Sequence, residues 1–245
     1  MKELFYLLEG FFIIGIIGTA FANRTASSEI RKERWLKLVM HFIIVHILVI
    51  YILYFTKYFY LLTMFILIIG LFEIAKYITV KNRTILFYCV TFLIYVFLSF
   101  GFYLMAKTFT TNAMLYIFMI VFVFDGFSQI CGQIFGRTKI FPKISPSKTK
   151  EGLIGGALMA MLTAYFIGYW VEATTMETFI MCLVLIISAV VGDWLASFYK
   201  RKHGIKDFSK LIPGHGGILD RFDSWLAAGA VFYYLTLTGI LHLGV

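Results

Sequence analysis

Acids and bases crowd into one short stretch of an otherwise apolar chain, KRKHGIKDFSKLIPGHGGILDRFDSW from Lys200 to Trp225. Hard divalent cations such as Mg²⁺ bind carboxylate oxygens and substrate phosphates. Lys, Arg and the N–H groups at helix starts neutralise further phosphate charge. The stretch therefore indicates a site for a nucleoside triphosphate or another polyphosphate, assisted by Mg²⁺.

Helical spacing places these side chains on shared faces. One stripe of the seventh predicted helix carries an acid, a hydroxyl and two bases at i, i+4, i+7 and i+8: Asp193, Ser197, Lys200 and Arg201. Asp220 and Asp223 lie at i and i+3 in the first turns of the eighth predicted helix, so their carboxylates share a face. Asp207 lies in the loop between the two helices.

Two more acids fall within apolar segments, where an ionised group is costly. Asp125, in FVFDGFSQICGQIFGR, has no cation within one helical turn, and we predict a functional role for it. Glu73, in IGLFEIAKYI, precedes Lys76 by three residues. An ion pair on one helix face and a functional role are both open for Glu73.

The elements that must position these groups are membrane helices. The chain is 61% hydrophobic and 14% charged, which is more apolar surface than a soluble core of 245 residues hides. We predict an all-α, polytopic integral membrane protein with about eight transmembrane helices. The predicted spans are Leu4–Ala22, Leu38–Phe55, Tyr58–Ile78, Ile85–Met105, Ala113–Phe135, Leu153–Val171, Thr178–Leu195 and Trp225–Leu243.

Basic residues indicate the orientation of these helices. Four alternate loops hold 19 of the 22 Lys and Arg residues: Asn23–Lys37, Lys76–Arg83, Gly126–Lys150 and Asp193–Arg221. By the positive-inside rule these loops face the cytoplasm and both termini lie outside. Topology and anionic lipid headgroups account for the net charge of +9, so we expect no nucleic-acid partner. A cleaved signal peptide ending at Ala22 is disfavoured, because Glu3 and Glu9 offset Lys2.

Other motifs restrict the class further. The sequence has no G-x-x-x-x-G-K-[ST] stretch, no H-E-x-x-H and no nucleophile elbow, which weakens P-loop, protease and hydrolase interpretations. The three cysteines stand singly in apolar stretches, as small buried hydrophobic residues do. With three prolines and no linker, residues 1–245 are predicted to form a single membrane domain whose catalytic part spans about 125–225.

The segment Ser197–Asp223, called here the signature segment, resembles the signature of the CDP-diacylglycerol synthases, or phosphatidate cytidylyltransferases. That signature is S-x-x-K-R-x4-K-D-x-[GSA]-x2-[LIF]-P-x-H-G-G-x-x-D-R-x-D. The residues in register are Ser197, Lys200, Arg201, Lys206, Asp207, Ser209, Pro213, His215, Gly216, Gly217, Asp220, Arg221 and Asp223. Upstream, DGFSQICGQIFGR and SPSKTKEGLIGG are also similar to family elements. The similarity spans about Asp125 to Asp223.

Four positions depart from the usual family pattern. Tyr199 stands where an aliphatic residue or Phe is usual, Ser128 replaces Ala, and Lys150 replaces Trp. Ala196 stands where many members carry an acid, which leaves open whether one or two cations bind.

The resemblance implies nucleotidyl transfer, in which phosphatidic acid attacks the α-phosphorus of CTP and pyrophosphate leaves. The implied Mg²⁺ ligands are Asp193, Asp207, Asp220 and Asp223. The residues implied to act on the phosphates of CTP or the lipid are Lys200, Arg201, Lys206, Arg221, Ser197, His215, Gly216 and Gly217. The resemblance also implies that Ser145, Lys148 and Thr149 close over the nucleotide. Asp125 would join them from the fifth helix. A cleft lined by aromatic residues would admit the lipid.

The expected partners are CTP, phosphatidic acid and membrane lipids, with a homodimer left open. The expected location is the inner membrane, with the active site facing the cytoplasm. Three rival interpretations remain: a CTP-dependent lipid-alcohol kinase, a phosphate-coupled transporter and an inactive scaffold. The transporter is disfavoured because most of the acids lie at one cytoplasmic level rather than at mid-membrane.

Overall fold

A computed structural model describes residues 2–24, 26–78, 83–213 and 216–241. Across these residues the chain forms eight α-helices: α1 (Lys2–Ala22), α2 (Ser28–Phe55), α3 (Phe59–Ala75), α4 (Ile85–Thr108), α5 (Thr111–Phe135), α6 (Lys150–Ile167), α7 (Thr175–His203) and α8 (Leu219–Leu237). Short 3₁₀ turns at Thr56–Tyr58 and Gly168–Val171 follow α2 and α6. The all-α prediction is confirmed.

One small β-hairpin interrupts the helices. Strands β1 (Lys139–Phe141) and β2 (Ser145–Thr149) pair antiparallel, with Lys139 opposite Thr149. The hairpin was not predicted, because two strands of three and five residues give too little periodicity to detect. It carries three of the predicted substrate-binding residues: Ser145, Lys148 and Thr149.

Six segments of the described chain are long and apolar enough to cross a membrane. The segment Ser28–Ala75 contains both α2 and α3, so seven of the eight helices lie within these segments. The eighth, α8, begins with three charged residues, Asp220, Arg221 and Asp223, and is not among them. The chain is thus a polytopic membrane protein whose described residues contain six candidate spans by length and composition.

Three helices extend six or more residues beyond the predicted spans. α2 begins at Ser28, ten residues before Leu38, and the Ser27 hydroxyl accepts a hydrogen bond from the N–H of Ile30 at its start. Most of the predicted Asn23–Lys37 loop is therefore helical.

At the signature segment, α7 continues eight residues past Leu195 to His203, and α8 begins six residues before Trp225. Hydropathy missed these ends because polar residues such as Ser197, Lys200 and Asp220 are buried in the protein rather than exposed. α8 ends at Leu237, and residues 242–243 of its predicted span lie outside the described residues.

α5 is the central helix and is buried from Ala113 to Phe124. It packs against α6 through small residues that bring the two backbones close. A Cβ placed on Gly152 would lie 2.6 Å from the carbonyl oxygen of Ser128, and one on Gly156 would lie 2.6 Å from that of Phe124. The α5–α6 contact therefore requires glycine at both positions.

α7 and α8 cross equally closely at Gly192. A Cβ there would lie 2.5 Å from the Cβ of Ala227 and 2.6 Å from the carbonyl oxygen of Asp223. These glycine contacts hold α5 against α6 and α7 against α8. They place Asp193, next to Gly192, beside the first turns of α8.

Candidate active site

A cavity of about 690 Å³ lies between α1, α2, α5, α8 and the hairpin. Its walls gather predicted site residues from three separate parts of the sequence: Asp125, Lys148, Thr149, Asp193, Asp220, Arg221 and Asp223. Its apolar walls include Phe11, Phe12 and Phe122. The cavity thus joins a charged region to an aromatic one.

Lys148 joins the hairpin to the acids of the cavity. Its ammonium lies 3.4 Å from a carboxylate oxygen of Asp193. Burial by itself lowers the pKa of Lys148, but the carboxylates of Asp125, Asp193 and Asp223 outweigh that effect and raise the pKa above its usual value. Lys148 is therefore a cation at neutral pH, held among three acids.

Asp223 is a buried acid with one carboxylate oxygen that no described residue hydrogen-bonds. Its Oδ1 accepts a hydrogen bond from the N–H of Ser224 at 2.7 Å, whereas its buried Oδ2 has no hydrogen-bond partner among the described residues. The side chain of Ser224 interacts with the carboxylate of Asp125. Because buried polar atoms are nearly always paired, the free oxygen points to a ligand that completes this site.

Asp220 serves a different purpose. Its Oδ1 accepts a 2.6 Å hydrogen bond from the ammonium of Lys200, and its Oδ2 accepts 2.8 Å bonds from the N–H groups of Phe208 and Gly217. Both oxygens are thus engaged by protein donors. In this structure Asp220 and Lys200 fix the loop between α7 and α8.

The glycine turn of that loop packs closely against neighbouring acids. Gly216 has φ of +84°, a conformation that side chains rarely adopt, and a Cβ there would lie 3.0 Å from the Cβ of Asp207. Asp207 is itself exposed and adjoins Asp220 through this turn. His215, predicted to contact phosphate, lies outside the described residues.

The sequence did not reveal the hydrogen-bond partners of Glu73, which lie in the signature segment. Its carboxylate, buried in α3, accepts hydrogen bonds from the Ser209 hydroxyl at 2.6 Å and from the N–H groups of Ile218 and Leu219 at 3.1 and 2.8 Å. Of the two interpretations left open for Glu73, the structure does not support the ion pair with Lys76: that ammonium lies over the ring of Tyr77, 5.8 Å from its centroid. A carboxylate in an apolar helix was the available signal, but its partners lie more than 130 residues away in sequence.

Arg201 connects the hairpin to the signature segment. Its Nε donates to the carbonyl oxygen of Ile144 at 2.9 Å, and its Nη1 donates to that of Ile205 at 2.8 Å. Thr149 also has a local role, since its hydroxyl accepts a hydrogen bond from the N–H of Gly152 and caps α6. Arg201 and Thr149 therefore stabilise the backbone around the cavity.

The other predicted residues lie at different depths. Ser145 and Ser197 are buried. Lys206 is exposed and interacts electrostatically with Glu33 of α2. Lys206 of the signature segment thus lies near the second helix.

The structure shows what surrounds two of the residues that depart from the family pattern, Tyr199 and Ala196. The phenol of Tyr199 donates a 2.8 Å hydrogen bond to the carbonyl oxygen of Ile74, so the larger side chain joins α7 to α3. Ala196 lines a separate apolar cavity of about 200 Å³ between α4, α7 and α8. An alanine suits these apolar walls.

The carboxylates fit a cation that is shared with a substrate. Among the described residues, no three His, Cys, Asp or Glu side chains are grouped so as to hold a metal ion by themselves. Mg²⁺ is usually bound through one or two carboxylates together with substrate phosphates, so a complete protein cage is not required. The unpaired Oδ2 of Asp223, with Asp193 and Asp125 nearby, matches that pattern.

Comparisons with known proteins identify the family of this chain. Residues 4–238 match the model of the cytidylyltransferase family. Among the similar curated proteins are the phosphatidate cytidylyltransferases of Aquifex aeolicus (35% identity over 162 residues), Haemophilus influenzae (39% over 127) and Staphylococcus aureus (36% over 141). These alignments cover 66%, 49% and 57% of this chain and 59%, 44% and 54% of the relatives. The chain thus spans about half the length of the curated relatives that it matches, and it belongs to the cytidylyltransferase family.

Proposed function

We propose that this chain transfers CMP from CTP to phosphatidic acid, forming CDP-diacylglycerol and pyrophosphate. The observation that carries the proposal is the convergence of Asp125, Asp193 and Asp223 with Lys148 in a cavity that also has aromatic walls. Membership of the family and the names of its relatives supply the reaction class.

The chemistry requires two anions to meet. A phosphate oxygen of phosphatidic acid attacks the α-phosphorus of CTP, a new P–O bond forms, and the bond to the β-phosphate breaks with its electrons leaving on pyrophosphate. No protein nucleophile is needed, so the protein contributes mainly positioning and electrostatics.

The residues of the cavity suit these tasks. Lys148 and Arg221 lie where they can bind phosphate oxygens, and Phe11, Phe12 and Phe122 give the lipid an apolar surface. Lys200 acts through Asp220, whose bonds to Phe208 and Gly217 hold the signature segment in place.

Bound Mg²⁺ would neutralise phosphate charge and stabilise the leaving pyrophosphate. Asp223 would hold it with Asp193 or Asp125, and Asp207 lies at the exposed side of the same segment. The number of cations, one or two, stays a prediction. Asp220 would join only by exchanging a protein donor for the ion, since both of its oxygens are bonded.

The proposed location is the inner membrane, with the cavity opening to the cytoplasm. The basic residues that favour this orientation, among them Arg34, Lys37, Lys148 and Arg221, line the cavity itself.

The test is the fate of labelled CTP with purified protein, Mg²⁺ and phosphatidic acid in detergent. The proposal predicts that label from the α-phosphorus enters the lipid and that an equal amount of pyrophosphate appears. Label entering a lipid alcohol from the γ-phosphorus, with release of CDP, would identify a lipid kinase instead.

A further inference from the structure

α2 supplies a charged wall of the cavity that the signature segment does not include. Arg34, Lys37 and His41 lie at i, i+3 and i+7, on one helix face, and all three line the 690 Å³ cavity. The same cavity holds Asp125 and Asp223. The cytoplasmic end of α2 is therefore part of the site, although this region resembled the family only as an apolar helix.

Arg34 is held in a fixed position. Its Nη1 donates to the carbonyl oxygen of Ala22 at 2.7 Å and to Oδ1 of Asn23 at 3.3 Å. A guanidinium carries five N–H donors in a planar fork, and among the described residues only Nη1 is bonded, so donors at Nε and Nη2 remain for a ligand. The loop between α1 and α2 thus orients Arg34 in advance.

Lys37 lies one turn further along the cavity face. Its ammonium bonds to Glu33 at 2.5 Å, and both side chains are partly exposed, at 33% and 53%. An ammonium has three donors, so one ion pair leaves capacity for an anion. Lys206 of the signature segment also interacts with Glu33, so Arg34, Lys37 and Lys206 all lie near this acid.

We infer that Arg34 and Lys37 form a phosphate-binding wall for an anionic substrate. The inference rests on the proposed function, in which both substrates carry phosphate. Arg binds phosphate through paired charge-assisted hydrogen bonds, and Lys acts as a point charge. Orientation in the membrane would be served equally by bases facing outward, whereas these two face the cavity that holds the acids.

The same helix offers matched controls. Arg31 and Lys32 are exposed and lie outside the cavity lining, and they carry the same charges as Arg34 and Lys37. The experiment compares Arg34→Gln with Arg31→Gln and Lys37→Gln with Lys32→Gln in nanodiscs. The KM for CTP, the KM for phosphatidic acid and kcat are measured for each variant.

Each cavity-facing change should raise the KM of one substrate about tenfold, the loss expected for one charge-assisted hydrogen bond. A rise for CTP assigns the wall to the triphosphate, and a rise for phosphatidic acid assigns it to the lipid phosphate. The outward-facing controls should stay within about twofold, and Lys37→Arg should recover most of the loss. Equal effects in the members of each pair, or none, would overturn the inference.

Binding measurements distinguish a failure of this inference from a failure of the proposed reaction. Equilibrium binding of labelled CTP, and of nanodiscs that contain phosphatidic acid or diacylglycerol, is measured without turnover. If the wild-type protein transfers no CMP, the proposed function fails, yet weaker binding of CTP or phosphatidic acid by Lys37→Gln than by Lys32→Gln still supports the wall. The Lys37 comparison is decisive, because Arg34 also secures the turn between α1 and α2.

Discussion

Replacing Glu73 with Gln should loosen the loop that carries the signature segment. Glu73 accepts three hydrogen bonds, from the Ser209 hydroxyl and from the N–H groups of Ile218 and Leu219. A hydrogen bond to a charged group contributes about 1.5–3 kcal/mol. Gln keeps one acceptor oxygen but turns its NH₂ group toward at least one of these donors. We therefore expect the free energy of unfolding to fall by about 2–3 kcal/mol.

The assay is thermal unfolding of the purified protein in one detergent at one scan rate. A loss of this size corresponds to a Tm lower by roughly 5–10 °C for a chain of this length. Lys76→Gln is the matched control and should leave Tm nearly unchanged, because Lys76 is exposed and lies over Tyr77. A wild-type Tm for Glu73→Gln, or an equal fall for Lys76→Gln, would refute the assignment of Glu73 to the loop.

The remaining predictions concern the acids and the helix contacts. Asp223→Asn and Asp220→Asn should both abolish turnover while the protein still inserts into membranes, as assayed by labelled CTP and membrane fractionation. Only Asp220→Asn should also lower Tm, because it weakens the buried pair with Lys200, and breaking such a pair costs about 3–5 kcal/mol. Equal Tm losses for the two would contradict the separate roles. Gly156→Val should separate α5 from α6 and lower Tm, whereas Gly10→Val, with no atom within 4 Å, should not; similar unfolding curves would contradict the close packing.

Apolar runs predicted the helices well, since a membrane requires length and hydropathy within a single segment. The same criterion misplaced the helix ends at the site. α7 continues through Ser197 and Lys200 because those side chains are buried by neighbouring helices, and hydropathy treats any polar residue as exposed. The start of α2 was missed for a related reason, because Ser27 caps a helix whose first turns are polar.

The candidate site was predictable where neighbours in sequence are neighbours in space. The i and i+3 spacing put Asp220 and Asp223 on adjacent turns of α8, as the structure shows. Their different surroundings could not be read from that spacing, because the partners of Asp220 come from α7 and the loop. Glu73 and Arg34 lie on distant helices, and their place at the site depends on packing.

The central claim is that Asp223, with Asp193 or Asp125, forms a cation site in the cavity that a substrate phosphate completes. Its most direct test is Mn²⁺ binding to the purified protein, followed by the electron paramagnetic resonance signal of free Mn²⁺ with and without CTP. Binding should be strengthened by CTP and lost in Asp223→Asn, whereas Glu29→Gln, which removes an exposed acid, should bind as the wild type does. Unchanged Mn²⁺ binding in Asp223→Asn would contradict the account.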